Sequence, residues 1–164
     1  MPEKETIERA REDERQGKSP STQAGEFVRE EIEHVREGKH GAESPQQAIA
    51  IGLSKARRAG VKLPAPRRGR ASARTRKQAR RDLRRGRTRR KTSARRSRAT
   101  TRALRRKGRG AASRRSLSRQ ARAAARRRGA ASRPKAAAKA VRTRGRKGMQ
   151  RAARRAAATR RRAA

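Results

Sequence analysis

The chain has 164 residues, 41% of them charged and 30% hydrophobic, with a formal net charge of +41. It has one aromatic residue, Phe27, and no cysteine, which excludes disulfide stapling and thiolate metal sites. Such composition predicts that most of the chain cannot bury enough apolar surface to offset an ordering entropy of roughly 1–2 kcal/mol per residue.

The charge is unevenly placed. Residues 1–66 hold 12 acidic and 12 basic side chains, whereas residues 67–164 hold 42 basic ones and a single acid, Asp82. The N-terminal MPEKETIERAREDER lacks the apolar stretch of a signal peptide. No segment approaches the ~18 apolar residues of a membrane span, so a protein that stays in the cytoplasm, or wherever its polyanion lies, is expected.

In chain order, residues 1–18 read as a charged, weakly helical segment in which Ile7 alone offers something to dock. A helix is predicted from the Ser19-Pro20-Ser21-Thr22 cluster, with Ala24, Phe27, Val28, Ile32 and Val35 on one face and Gly38 as terminator. Glu30, Glu31, Glu33 and Glu37 read as its solvated face, His34 as a solvated helix residue and His40 as a connector residue. No metal site is expected from them. A second helix starts with Ser44 as N-cap, Pro45 at the first helical position and Gln47 completing a capping box. Gly60 fits the left-handed position after its end, with Val61 folding back on Ala56. The short connection predicts an antiparallel αα-hairpin over residues 19–63. Ile49, Ile51 and Leu53 point in nearly all directions around the second helix, so part of that surface is expected to stay exposed and support weak self-association.

Residues 64–66 form a Pro linker, and residues 67–164 follow as 36 arginines and six lysines among Ala, Ser, Thr and Gly. Gly86, Gly108, Gly129 and Gly145 divide this part into blocks. In the block Ala111–Arg128, Leu117, Ala121, Ala124 and Ala125 share a helical face. Ala and Arg favour helix, but Arg–Arg repulsion at i,i+4 opposes it until phosphates neutralise the charge. The expected fold class is therefore mainly α: a small antiparallel helical hairpin, then a long intrinsically disordered Arg/Ala-rich tail able to form short helices.

Charge of this density exceeds what solubility requires, and arginine's forked donors suit phosphate oxygens. The expected partner is nucleic acid. Double-stranded DNA is favoured over RNA because the tail has no aromatics on which to stack bases. The second helix offers base edges little beyond Lys55, Arg57 and Arg58. The candidate contacts are Arg80, Arg81, Arg84, Arg85, Arg89, Arg90, Arg105 and Arg106, followed by Arg114, Arg115, Arg126, Arg127 and Arg128. Near the end come Arg154, Arg155, Arg160, Arg161 and Arg162. No constellation of nucleophile, base and oxyanion donors is legible, so no enzyme, cofactor, small-molecule substrate or membrane partner is expected.

Residues 44–64, SPQQAIAIGLSKARRAGVKLP, resemble a K-Q-A-I-A-I-A-L-S-E-A-R-K-A-G-like stretch shared by a family of small bacterial proteins of unknown function. Gln47 to Ile51, Leu53, Ser54, Ala56, Arg57, Ala59 and Gly60 match it, and Gly52 and Lys55 depart from it. The resemblance covers roughly residues 21–64, implies a bacterial source and brings no catalytic residues. The tail resembles those of bacterial histone-H1-like proteins, which implies DNA binding and compaction by a nucleoid-associated protein. An RNA-binding or ribosome-assembly factor, and an adaptor whose hairpin recruits a protein partner, are the alternatives.

Overall fold

The computed structural model describes residues 2–88, 93–129 and 132–161, and all regular structure among them is helical. The chain divides into two compact units, Met1–Gln120 and Ala121–Ala164.

The first unit opens with α1 (Lys4–Arg15), α2 (Pro20–Glu37) and α3 (Pro45–Arg58). The expectation that residues 1–18 have little to dock is corrected. Thr6, Ala10 and Asp13 recur at i, i+4 and i+7 and are buried, with Ile7 half-buried beside them. A count of large apolar residues overlooks a helix that packs through small and short polar ones. Arg9 Nε donates to Glu26 Oε2 at 3.0 Å, and the Glu3 backbone N–H donates to Glu30 Oε2 at 3.2 Å, fastening α1 to α2.

α2 and α3 run antiparallel, since Val35 meets Ala48 in one apolar cluster while Phe27 meets Ala56 in another. Their backbones approach closely at Gly52, where a Cβ would lie 2.7 Å from Val28 Cα. The end signals act as read. Ser44 Oγ accepts from the Gln47 N–H at 3.2 Å, although the Gln47 side chain accepts from the Glu43 N–H rather than that of Ser44. At the other end Gly60 has φ 106°, with Gly60 N–H bonded to Arg57 O and Val61 N–H to Ala56 O, the paired bonds of a Schellman stop.

The first cluster joins Ala10, Ala24, Phe27, Ala56 and Val61, with Ile7, Leu53 and Leu63 against it. The second joins Val35, Ala42, Ala48, Ala111 and Ala112, with Ile32 against it. Between them along α2 stand Glu30 and Glu31, 2% and 0% exposed, so these two are not part of a solvated face; Glu33 and Glu37 are exposed. Nor is His34 solvated: its side chain is 12% exposed and that of His40 13%.

The basic part is helical, not disordered, which overturns the expected long disordered tail. It forms α4 (Ala73–Thr88), α5 (Ala94–Arg105), a 3₁₀ turn (Gly110–Ala112), α6 (Arg114–Arg128) and α7 (Ser132–Arg161). The disorder argument set i,i+4 repulsion against helix propensity and gave the tail nothing to dock. Repulsion costs only about 0.2–0.5 kcal/mol per exposed pair, and docking residues are present although none is large.

On α4, Ala79 and Asp82 are buried, and Leu83 and Gly86 half-buried, the i, i+3, i+4, i+7 stripe of a packed helix. Asp82 accepts from Ser54 Oγ at 2.7 Å, and a Cβ on Gly86 would overlap the Arg57 carbonyl oxygen. Farther on, Gly41 N–H bonds to Leu104 O, Ala42 N–H to Gly108 O, and Arg36 Nε to Ala112 O, so Ala111 and Ala112 seat in the second cluster. Three of the four spacer glycines do end or break helices: Gly108 lies between α5 and the 3₁₀ turn, Gly129 follows α6, and α7 breaks at Gly145. Gly86 instead lies inside α4. On α6 the expected face is shifted, with Leu117 and Ala124 half-buried but Ala121 and Ala125 exposed.

Ile49, Ile51 and Leu53 are each half-buried, so their surface is partly covered within the single chain. Among the described residues, the exposed large hydrophobic is Val141, at 46%, in the second unit. No helix among the described residues is long and apolar enough to cross a membrane.

Candidate nucleic-acid interface

Successive residues of a helix turn by ~100°, so the docked stripe of α4 fixes its outer face. Across from Asp82 stand Lys77, Arg80, Arg84 and Arg87, with Arg81 about 100° round the helix, all exposed, while Arg85 lies toward the flank and is half-buried. Asp82, the one acid of residues 67–164, is 2% exposed and turned inward. Gln78 Nε2 donates to its Oδ1 at 3.0 Å, and Arg58 Nε lies 3.9 Å from the same oxygen. The carboxylate that would have interrupted the basic surface thus serves to hold the helix, and every charged side chain that α4 exposes is a cation.

Arg105 and Arg106 end α5 exposed, and Arg114 and Arg115 start α6 exposed, all in the first unit. α6 begins where Ser113 Oγ accepts from the Ser116 N–H at 3.2 Å. Arg126 and Arg127 are exposed on α6, as are Arg154, Arg155 and Arg161 on α7. Arg128 and Arg160 belong to the same two helices, but their side chains lie outside the described ones. Arg89, Arg90 and Arg162 lie outside the described residues altogether. The structure therefore brings Arg80, Arg81 and Arg84 onto one face, sets Arg85 apart from them, and distributes the other described ones over α5, α6 and α7 and their ends.

Two of the three cations noted on the second helix are not available to a ligand. Arg57 is 7% exposed and donates to Leu63 O at 3.1 Å and Pro64 O at 3.3 Å, clamping the proline segment against α3. Burial pulls its guanidinium below its ordinary range, with the charge of Asp82 acting the other way. Lys55 lies between Glu30 Oε1, at 3.1 Å, and Glu31 Oε2, at 2.7 Å.

Sequence reasoning missed this buried pairing, although a signal was present. Position 31 lies at i+7 from Ala24 and i+4 from Phe27. Position 55 lies at i+7 from Ala48 and i+3 from Gly52. Opposite charges therefore occupy the apolar stripes of two helices predicted to pair.

Residues 15–68 match a family of unknown function (DUF6496). The match takes in α2, α3 and the proline segment and stops before α4. None of the curated proteins and none of the solved structures matches the chain.

Proposed function

We propose that this chain is a non-enzymatic, largely sequence-independent binder of double-stranded DNA that coats and compacts it in a bacterial nucleoid, its basic part resembling histone-H1-like tails. One observation carries the reading: 42 basic side chains stand against one acid over residues 67–164, and that acid is buried. Each phosphate neutralised releases condensed counterions, so such a surface gains affinity from any duplex. The absence of aromatics from this part supports duplex over single-stranded nucleic acid, whose binders stack bases.

The test is fluorescence anisotropy of the full chain with labelled duplex DNA and with RNA of matched length, across a salt series. The reading expects log K for duplex DNA to fall linearly with log salt, by about 0.9 per phosphate contacted. It also expects DNA to outcompete RNA. Preference for RNA would move the function to RNA binding or ribosome assembly, and affinity for neither would overturn nucleic-acid binding.

A further inference from the structure

The buried charges between the two apolar clusters include more than a salt bridge. One nitrogen each of His34 and His40 and one carboxylate oxygen of Glu31 lie within 4.8 Å of one another. The rings stand edge to face with centroids 6.0 Å apart. Glu31 is 0% exposed, and neither of its oxygens has a hydrogen-bond partner. Lys55 Nζ and His40 Nε2 are at ion-pair distance, 2.7 Å from Oε2 and 3.2 Å from Oε1, but outside hydrogen-bond geometry. Lys55 answers the charge at Oε2, but Oε1 faces only an imidazole, a costly setting for a buried carboxylate oxygen unless a second cation completes it.

The outer ring nitrogens say where that cation belongs. His40 Nδ1 lies 3.1 Å from the Gly41 carbonyl oxygen, which only accepts, so Nδ1 carries the proton. His34 Nε2 lies 2.8 Å from the Glu3 carboxylate and likewise donates. In neutral rings the lone pairs then sit on His40 Nε2, facing Glu31 Oε1, and on His34 Nδ1, 4.0 Å from Glu30 Oε1. A lone pair facing a carboxylate oxygen is repulsive with nothing between them. The outer N–H bound to a carboxylate or carbonyl, with the inner nitrogen turned to a shared point, is the arrangement by which proteins orient histidine ligands.

We propose that Glu31 Oε1, His34 Nδ1 and His40 Nε2 bind a divalent transition-metal cation of the zinc class. Two imidazoles and one carboxylate make a three-ligand set with a fourth position for water. Magnesium and calcium, which require oxygen ligands, do not suit two imidazoles. Lys55 keeps Glu31 Oε2 and Glu30, on the other oxygen of the shared carboxylate, so ammonium and metal do not compete for one atom. The metal ties the α2–α3 connector, through His40, to α2.

These are the chain's only histidines and it has no cysteine, so tight zinc binding has no rival donor set elsewhere. The experiment is isothermal titration of the untagged full chain with zinc ions, repeated with His40→Asn, His34→Asn and Glu3→Gln, and helical circular dichroism taken for each. One equivalent should bind. Either histidine variant should weaken affinity at least a hundredfold with helicity retained. Glu3→Gln, which leaves all three ligands in place and disturbs the support of His34 along with an exposed Lys39 ion pair, should weaken it about tenfold. Cobalt ions should give the visible absorption of a four-coordinate site in the parent chain and lose it in His40→Asn, a readout that survives partial destabilisation. Absence of saturable zinc binding, or binding that both histidine variants leave unchanged, overturns the proposal.

Discussion

Replacing Asp82 by Ala tests whether α4 is held to the head by a buried acid. The variant removes the acceptor of the Ser54 hydroxyl, at 2.7 Å, from a position 2% exposed. A hydrogen bond to a charged group contributes about 1.5–3 kcal/mol. The Gln78 contact is a part-buried i,i+4 bond, adding roughly 0.5 kcal/mol. Arg58, at 3.9 Å and 34% exposed, is screened and adds no more than about 1 kcal/mol. Removing a buried carboxylate also relieves its own desolvation, which offsets part of the loss, so the net cost is about 2–3 kcal/mol. Converted at ~1.4 kcal/mol per factor of ten, α4 should open roughly 30- to 150-fold more often. Hydrogen–deuterium exchange of residues 73–88 in the full chain reads this directly, with the amides of α1 as internal reference. Asp82→Asn, which keeps an acceptor oxygen, should lose less. If α4 exchanges in the parent chain as fast as an unstructured peptide, or if Asp82→Ala leaves its protection unchanged, the docking argument is refuted.

The parent chain without nucleic acid should already give a strongly helical circular dichroism spectrum, with little change on adding duplex DNA; a coil spectrum would restore the disordered tail. Gly52→Leu, which drives a side chain into the Val28 backbone, should cost at least about 2–3 kcal/mol of head stability by chemical denaturation. Lys55→Met should cost about 3–5 kcal/mol by the same assay, because it leaves Glu30 and Glu31 buried without their ammonium.

The legible parts of this fold were those with their own local code. Ser44-Pro45 and Gly60 specify helix ends through backbone hydrogen bonds that any neighbours would permit, and the structure has both. What could not be read was docking by small residues. Ala79, Ala111 and Ala112 carry too little surface to stand out in an alanine-rich sequence, and each becomes core only because a groove of matching shape exists elsewhere. Asp82 was visible as the one acid among 42 bases, yet its partner Ser54 lies 28 residues away on another helix. The candidate interface was legible as composition; which arginines share a face depends on the stripe that α4 buries, and thus on docking.

That dependence separates the helical arrangement from a flexible one. Lys77 to Arg87 spans ten residues, about 15 Å of helix at ~1.5 Å per residue, and its outer face carries Lys77, Arg80, Arg81, Arg84 and Arg87. A duplex presents roughly nine charges over that length, about half of them on the near side, so cations and reachable phosphates are similar in density. The same five side chains on an extended strand, at ~3.3 Å per residue, would be spread over about 33 Å and matched to twice as many phosphates. On the proposed reading, helix therefore concentrates charge to the spacing of its partner. It also makes arginines unequal. Arg84→Gln, on the outer face, should lower the salt slope for duplex DNA by about 1, whereas Arg85→Gln, half-buried on the flank, should change it by much less. Glutamine keeps similar helix propensity, so the comparison isolates position. Anisotropy titrations of the two variants across a salt series check it. Equal slopes for both would mean that the bound chain has abandoned the face that α4 presents.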